Sequence, residues 1–349
     1  MTEPLHSAAL DPDDMRGAIR AFPDHLATGW SRGAAVDGFG LAGAKIDGVV
    51  VCGMGGSAIG GDLVRGLVEP TASVPFVVHR GYSLPGWVGE RTLVVVSTYS
   101  GGTEETLSAY AEARSRGARG LVITSGGEAL DRARADGLDH VVIPGGLQPR
   151  AALGYSLGVG LRLARALDLA SLPDDDVDAA LDAARQRADL HDRDADGNPA
   201  RDLSARWVDA LPVVYTGTGL LEAVGLRWRT QIHENAKHPA VGNVLPELDH
   251  NEIMGYEAAP ESLSRSMQVV ALRDAEDNPQ VARRVDATRE LVASGIGGWT
   301  EVRAEGGRLD RMLSLVQLGD AASLWLALRK GVDPTPVETI QQLKRTLAG

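Results

Sequence analysis

The sequence is poor in cysteine and in aromatic residues. It has one cysteine, Cys52, among 349 residues, and aromatic residues make up only 4% of the chain. A single cysteine excludes an internal disulfide and a thiolate cluster for zinc or iron–sulfur, and it fits a reducing cytoplasm. With so few aromatic side chains, we expect a core built from Val, Leu, Ile and Ala.

Basic residues are also in the minority. Against 47 Asp and Glu residues stand 35 Lys and Arg residues, so the formal net charge is −12. A nucleic-acid backbone is bound through a basic surface, and this charge therefore argues against a nucleic-acid partner. A small anionic ligand stays possible, because one phosphate group responds to nearby N–H dipoles and one or two cations.

Long apolar runs are missing as well. No stretch approaches the ~18–20 apolar residues that a membrane span needs. The first residues, MTEPLHSAALDPDD, lack the basic and apolar regions of a signal peptide. We therefore expect no membrane partner and a cytoplasmic location.

Short β-branched runs that alternate with glycine-rich turns and helical segments are abundant. A first series predicts strands at 47–52, 74–79, 92–97, 120–124 and 140–143. A second series predicts strands at 212–215, 267–272 and 299–302, with helices over 220–236 and 313–329. This alternation indicates α/β domains with doubly wound, mainly parallel sheets that are buried on both faces, in a flavodoxin-like three-layer αβα arrangement.

The same pattern divides the chain into five predicted segments. They are an N-terminal helical segment (1–44, with a helix over 11–30), a first α/β domain (45–170), a helical linker (171–205), a second α/β domain (206–333) and a C-terminal helix (334–349). The linker is rich in Asp and Ala, and a turn at Asp196-Gly197-Asn198-Pro199 interrupts it.

Two turns in the first domain predict a phosphate site. Each follows a predicted strand and opens a helix, where N–H groups and hydroxyls converge at the carboxyl edge of a parallel sheet. The candidate phosphate-binding residues are Gly55, Gly56, Ser57, Thr98, Ser100 and Thr103. Helix capping with tight packing would explain either turn alone. A dinucleotide site also stays open, because Ala58 can occupy the third position of a G-x-G-x-x-G fingerprint, although the second turn then has no role.

The segment QIHENAKHPA, residues 231–240, places Glu234 among basic side chains. A partly buried carboxylate near cations can act as a general base, and a solvated, charged helix end is the alternative. The histidines, His233 and His238, are five residues apart and one precedes a proline, which argues against a metal site.

Three further polar residues are candidates. His250 lies between Asp249 and Glu252, which could hold its tautomer and raise its basicity, although a loop histidine is often merely exposed. Arg150 precedes a predicted helix and Lys344 lies in the last one. Surface charge is the alternative for both.

Together these segments resemble a known family. CGMGGSAIGGDL, STYSGGTEETL, PRAALGYSLG, HENAKHPA, ELDHNEI and TPVETIQQLK are similar, in this order, to segments of the bifunctional phosphoglucose/phosphomannose isomerases of the sugar isomerase (SIS) superfamily. The resemblance spans the chain from about residue 45 onward, and it implies SIS-type domains and an aldose–ketose isomerase without cofactor or metal.

The resemblance also implies roles for individual residues. The two turns would hold the sugar phosphate, Glu234 would move a proton between C2 and C1, and Arg150 would stabilise the enediolate. His250 and Lys344 would assist ring opening, and the family's shared active sites imply a homodimer. Gly102 departs from the family, which usually has Asn there. A non-catalytic sugar-phosphate regulator and an amino-sugar phosphate isomerase remain alternatives.

Overall fold

The computed structural model of the protein describes Leu5 and residues 8–347. Residues 1–4, 6–7 and 348–349, at the outer ends of the first and last predicted segments, lie outside the described residues. The chain divides into two compact units. The five-stranded unit comprises Ala21–Gln186 and Gly306–Leu313, and the four-stranded unit comprises the described residues of Met1–Arg20, Arg187–Glu305 and Ser314–Gly349.

Helices account for much of the chain. In sequence order they are α1 (Met15–Arg20), α2 (Phe22–Gly33), α3 (Gly55–Val68), α4 (Glu104–Ser115), α5 (Gly127–Ala135), α6 (Leu153–Ala166), α7 (Asp174–His191), α8 (Pro199–Ala205), α9 (Leu220–Ala236), α10 (Glu261–Ser264), α11 (Pro279–Val292), α12 (Arg308–Arg329) and α13 (Glu338–Leu347). Short 3-10 helices lie at Ala34–Gly38, Glu247–His250 and Glu252–Tyr256.

The single leading helix expected over 11–30 is wrong. Asp11 caps the first turn, since its carboxylate accepts bonds from the N–H groups of Met15 (2.8 Å) and Arg16 (2.9 Å). The helix then ends at Arg20, and a second one begins at Phe22. Pro23 explains the break, because proline lacks the N–H that a continuous helix would need there and is favoured in a first helical turn.

The five-stranded unit contains a fully parallel sheet. Its strands are β1 (Gly48–Cys52), β2 (Phe76–His79), β3 (Thr92–Thr98), β4 (Arg119–Thr124) and β5 (Asp139–Val142), in the order β2-β1-β3-β4-β5. Every residue of β1 and β3 is buried, as expected when helices cover both faces. The chain leaves β1 for β2 on one side and returns to β3 on the other, so a topological switch point lies between β1 and β3.

The four-stranded unit repeats this winding. Its parallel strands are β6 (Leu211–Gly217), β7 (Val241–Leu245), β8 (Met267–Arg273) and β9 (Gly298–Arg303), in the order β7-β6-β8-β9. Neither β7 nor α11 was predicted from the sequence. Gly242 and Asn243 weaken the strand pattern of β7, which is an edge strand and only partly buried. The predicted fold class, two doubly wound parallel α/β domains, is confirmed.

The core differs between the units. Around β1 and β3 it is aliphatic, as expected, and burial raises the pKa of the Cys52 thiol to about 12. The four-stranded unit instead buries three tryptophans completely: Trp207, Trp228 and Trp325. Two of them donate their indole N–H to backbone oxygens, Trp228 to Leu315 at 2.7 Å and Trp325 to His191 at 2.8 Å. Among the helices of the described residues, none has both the length and the apolar character of a membrane span.

Candidate active site

The two turns predicted to bind phosphate contact each other at the switch point of the five-stranded sheet. Ser57 lies in the first turn of α3, directly after β1, and its hydroxyl accepts a hydrogen bond from the N–H of Tyr99 at 3.0 Å. The Ser97 hydroxyl donates to the backbone oxygen of Ser57 at 3.2 Å. These two bonds join the turn after β1 to the turn after β3.

The second turn is held open by its own hydroxyls and by glycine. The Thr98 and Thr103 hydroxyls lie 3.1 Å apart, and the N–H of Gly102 points to the Ser100 hydroxyl at 3.4 Å. Ser100 and Gly102 are exposed, whereas Thr98 is buried. Gly101 has a φ of +72°, and a Cβ added there would lie 1.8 Å from the backbone oxygen of Gly126. No other residue fits this position without a shift of the chain.

Both turns lead into helix N-termini. Gly55, Gly56 and Ser57 are the first residues of α3, and α4 begins directly after the second turn. The N-cap residues of the two helices, Met54 and Thr103, make no side-chain capping bond within the described residues. The first N–H groups of an α-helix have no partner inside the helix, and the helix dipole is positive at this end. The arrangement therefore suits an anion such as a phosphate group.

The structure places Arg150 beside the first of these turns. Arg150 is 2% exposed and lies in the loop that leads into α6. A Cβ added at Gly56 would lie 2.6 Å from the backbone oxygen of Pro149 and 3.1 Å from the Cα of Arg150. The main chain before α6 thus contacts the first turn of α3, and the buried Arg150 belongs to this stretch of main chain.

Glu234 lies in the last turn of α9 and is half-buried. Buried bonds fix this helix against α12. Arg227 pairs with Asp320 at 2.6 Å, and the Asn235 amide donates to the Ser323 hydroxyl at 2.9 Å. The end of α9 that carries Glu234 is therefore held in place by α12.

The histidines on either side of Glu234 make hydrogen bonds to main-chain oxygens. The Nε2 atom of His233 lies 2.9 Å from the Ala240 oxygen, and that of His238 lies 2.7 Å from the Ala210 oxygen. Lys330 donates to Nδ1 of His238 at 3.0 Å, and burial lowers the pKa of both groups. No group of three potential metal ligands occurs within the residues that the structure describes.

His250 is exposed, at the end of the 3-10 helix Glu247–His250. The expectation that its acidic neighbours hold its tautomer is wrong. The Asp249 carboxylate bonds the Thr288 hydroxyl (2.8 Å) and Arg284 (3.1 Å) on α11, while Glu252 accepts from the Asn243 amide (2.7 Å) and from a tyrosine hydroxyl. The two carboxylates therefore fix the loop to neighbouring elements, and they do not orient the imidazole of His250.

Lys344 is exposed on α13, a helix in which no described residue is buried. The apolar side chains of this helix are also exposed: Ile340 by 44%, Leu343 by 58% and Leu347 by 77%. Their spacing of three and four residues places them on one face. Glu234, His250 and Lys344 thus lie on three separate elements of the four-stranded unit.

Tyr99 has a role that the sequence did not reveal. Besides its bond to Ser57, Tyr99 accepts two hydrogen bonds. Its backbone oxygen accepts one from the Ser125 hydroxyl at 2.6 Å, and its phenol oxygen accepts one from the N–H of Leu147 at 3.0 Å. Burial raises the pKa of this phenol. Tyr99 stands between Thr98 and Ser100 in the predicted loop, but its bonds reach residues that are distant in sequence.

Comparisons with known proteins agree with these features. The family model for the bacterial phospho-glucose isomerase C-terminal SIS domain matches residues 196–347. The chain is 43% identical to the bifunctional phosphoglucose/phosphomannose isomerase of Caldicellulosiruptor bescii, over 87% of this chain and 90% of the relative. It is 36% identical to the enzyme of that name from Aquifex aeolicus, over 86% and 90%.

A solved structure shares the fold. The C-terminal domain of glucosamine-fructose-6-phosphate aminotransferase from Francisella tularensis superposes with a TM-score of 0.71 at 15% identity, covering 91% of this chain and 96% of that domain. At this identity the likeness concerns the fold alone.

Proposed function

Because the chain belongs to the bifunctional phosphoglucose/phosphomannose isomerase family, we propose that it interconverts glucose 6-phosphate and mannose 6-phosphate with fructose 6-phosphate through a 1,2-enediolate. The chain is a sugar-phosphate isomerase. The observation that carries the specific proposal is the bonded pair of hydroxyl-rich turns at the β1–β3 switch point, beside Arg150.

In this proposal the phosphate is held mainly by backbone N–H groups and hydroxyls. Gly55, Gly56 and Ser57 supply the first helix N-terminus, and Thr98, Ser100 and Thr103 supply the second turn. This donor set matches a phosphate, which accepts several hydrogen bonds at once. Because the main chain provides much of it, Gly102 in place of the family's usual Asn is compatible with binding.

The proton transfer is assigned to Glu234. As base, its carboxylate takes the C2 proton of the open-chain aldose, which leaves a 1,2-enediolate, and returns it to C1, while the C2 hydroxyl proton moves to O1 and the C2 carbonyl of the ketose forms. The two aldoses differ only at C2 and share this intermediate, so one base serves both provided that rotation about the C2–C3 bond presents the C2 hydrogen of either epimer to it. The half-buried carboxylate at the fixed end of α9 supports this assignment.

The remaining roles follow from charge and exposure. Arg150 is assigned to stabilise the negative charge that develops on the enediolate oxygens. His250 and Lys344 are assigned to ring opening, in which a proton leaves the anomeric hydroxyl and another reaches the ring oxygen. Both are exposed and therefore accessible to a sugar.

We also assign a homodimer and a cytoplasmic location to the protein. The exposed apolar face of α13, formed by Ile340, Leu343 and Leu347, supports association with a second copy. The single, buried Cys52 supports a reducing compartment.

The proposal is tested with purified protein and fructose 6-phosphate. We expect both aldose phosphates to form in coupled assays. The variant Glu234→Gln should fold as the parent does and should form neither of them. Turnover that survives Glu234→Gln would overturn the assignment of the base. Turnover of glucosamine 6-phosphate alone, or tight binding of fructose 6-phosphate without turnover, would replace the proposal by one of the alternatives considered from the sequence.

A further inference from the structure

Lys237 follows α9 directly and has an unusual backbone conformation. Its φ and ψ are both 46°, which is the left-handed region. Glycine, and sometimes asparagine, usually occupies this position after a helix, because a Cβ there costs roughly 1–2 kcal/mol. The backbone alone would therefore favour glycine, and the reason for a lysine has to lie in its side chain.

The Lys237 ammonium group bonds main-chain oxygens from two separate parts of the chain. Two belong to the last turn of α9: Glu234 at 2.9 Å and Asn235 at 3.4 Å. Two belong to the segment after α12: Asp333 at 2.8 Å and Pro334 at 2.9 Å. An ammonium has three N–H donors, so four oxygens at these distances engage all of them.

These contacts connect the two elements to which the proposed reaction assigns a base and an acid–base group. α9 ends with Glu234 in its last turn, and the segment at 333–334 leads into α13, which carries Lys344. We propose that Lys237 is a positioning residue: its ammonium ties the approach to α13 to the end of α9 and so sets the position of Glu234 for proton transfer. This inference rests on the proposed function, because it concerns the geometry of that reaction.

A positive charge suits this role better than a neutral donor. The carbonyl groups at a helix C-terminus carry partial negative charge and have no partner within the helix. The bonds engage the backbone of Glu234 rather than the groups proposed to bind phosphate. Loss of the ammonium should therefore lower kcat, by about 10- to 100-fold if the base is misplaced by about 1 Å, and leave KM for fructose 6-phosphate within about threefold.

The scarcity of cysteine allows a direct test. In Lys237→Cys, reaction with 2-bromoethylamine forms a C–S bond with loss of bromide and a proton, which restores an ammonium at the end of a sulfur-containing side chain of lysine's length. The native Cys52 is buried and burial raises its pKa to about 12, so it should not react. Lys45→Cys, at an exposed lysine of the five-stranded unit, is the matched control.

We expect Lys237→Cys to lose kcat and to recover most of it on aminoethylation, whereas Lys45→Cys keeps wild-type kcat before and after treatment. Lys237→Gly fits the left-handed backbone without strain, and it should fold normally yet show the same loss of kcat. Full kcat in Lys237→Gly, or no recovery in aminoethylated Lys237→Cys, would overturn the proposal.

A second measurement separates this proposal from the proposed function. Amide hydrogen exchange in the last turn of α9 and at Asp333 and Thr335, the two residues of segment 333–336 that have an amide N–H, should accelerate in Lys237→Cys and slow again after aminoethylation. If the wild-type protein does not turn over fructose 6-phosphate, the proposed function fails, and exchange still reports whether Lys237 ties the two segments. Unchanged exchange in both segments would contradict the tie itself.

Discussion

At the scale of single residues, two neighbouring glycines have different reasons to be there. Gly101 has a left-handed backbone and packs against the backbone oxygen of Gly126. A Cβ added at Gly102 would meet no heavy atom within 4 Å in the described part of the chain. Only the first glycine is required by the geometry of the turn, so the departure from the family at Gly102 should be harmless.

This difference predicts opposite outcomes for equivalent substitutions. Gly101→Ala combines a strained φ with a steric clash and should lower the free energy of unfolding by about 2–4 kcal/mol. It should also raise KM for fructose 6-phosphate, because the turn can no longer adopt the conformation in which it faces the ligand. Gly102→Ala and Gly102→Asn should change the free energy of unfolding by no more than about 0.5 kcal/mol and KM by no more than about twofold. Urea unfolding and steady-state assays check both, and equal midpoints for Gly101→Ala and Gly102→Ala would contradict the argument.

At the scale of secondary-structure elements, the position of α9 depends on its buried contacts with α12. The Arg227–Asp320 pair that joins them is almost fully buried, with side chains 2% and 5% exposed. Burial raises the pKa of Asp320, and the Arg227 charge acts in the opposite direction. A buried pair contributes little net stability compared with well-packed apolar residues, but removing one partner leaves a buried charge uncompensated.

Single and double substitutions at this pair should therefore not be additive. Asp320→Ala should lower the free energy of unfolding by about 3–5 kcal/mol. The double variant Arg227→Met with Asp320→Leu should recover most of that loss, because it removes both charges and fills the space with apolar side chains. Denaturant unfolding of the parent, Arg227→Met, Asp320→Leu and their double variant forms a double-mutant cycle. Additive losses would show that the two charges do not depend on each other.

At the scale of the whole molecule, α13 has an apolar face that nothing in the described residues covers. Three large apolar side chains on a helix without buried residues are unusual for an isolated chain, and a second copy is the partner assigned here. The same helix carries Lys344, so association and the proposed ring-opening step involve one element.

Disrupting this face should give a monomer. Leu343→Glu places a charge at its centre, and we expect sedimentation at the mass of one chain, 36.7 kDa, where the parent sediments at twice that mass. Gln342→Glu adds the same charge at an exposed position of the same helix and should leave the dimer intact. A parent that is itself monomeric would refute the dimer, and a Leu343→Glu variant with parental mass would place the interface elsewhere.

The sequence by itself determined the parallel α/β fold and the place of the two glycine- and hydroxyl-rich turns, because strand periodicity and loop composition are local properties. The turns at Ser57 and at 100–103 could be found for that reason, and the structure adds that Tyr99 bonds them together. The sequence could not reveal that Asp249 and Glu252 hold the loop of His250, nor that Lys237 reaches the segment at 333–334. Only the tertiary structure decided those partners, because hydrogen bonds between residues far apart in sequence depend on how the elements pack.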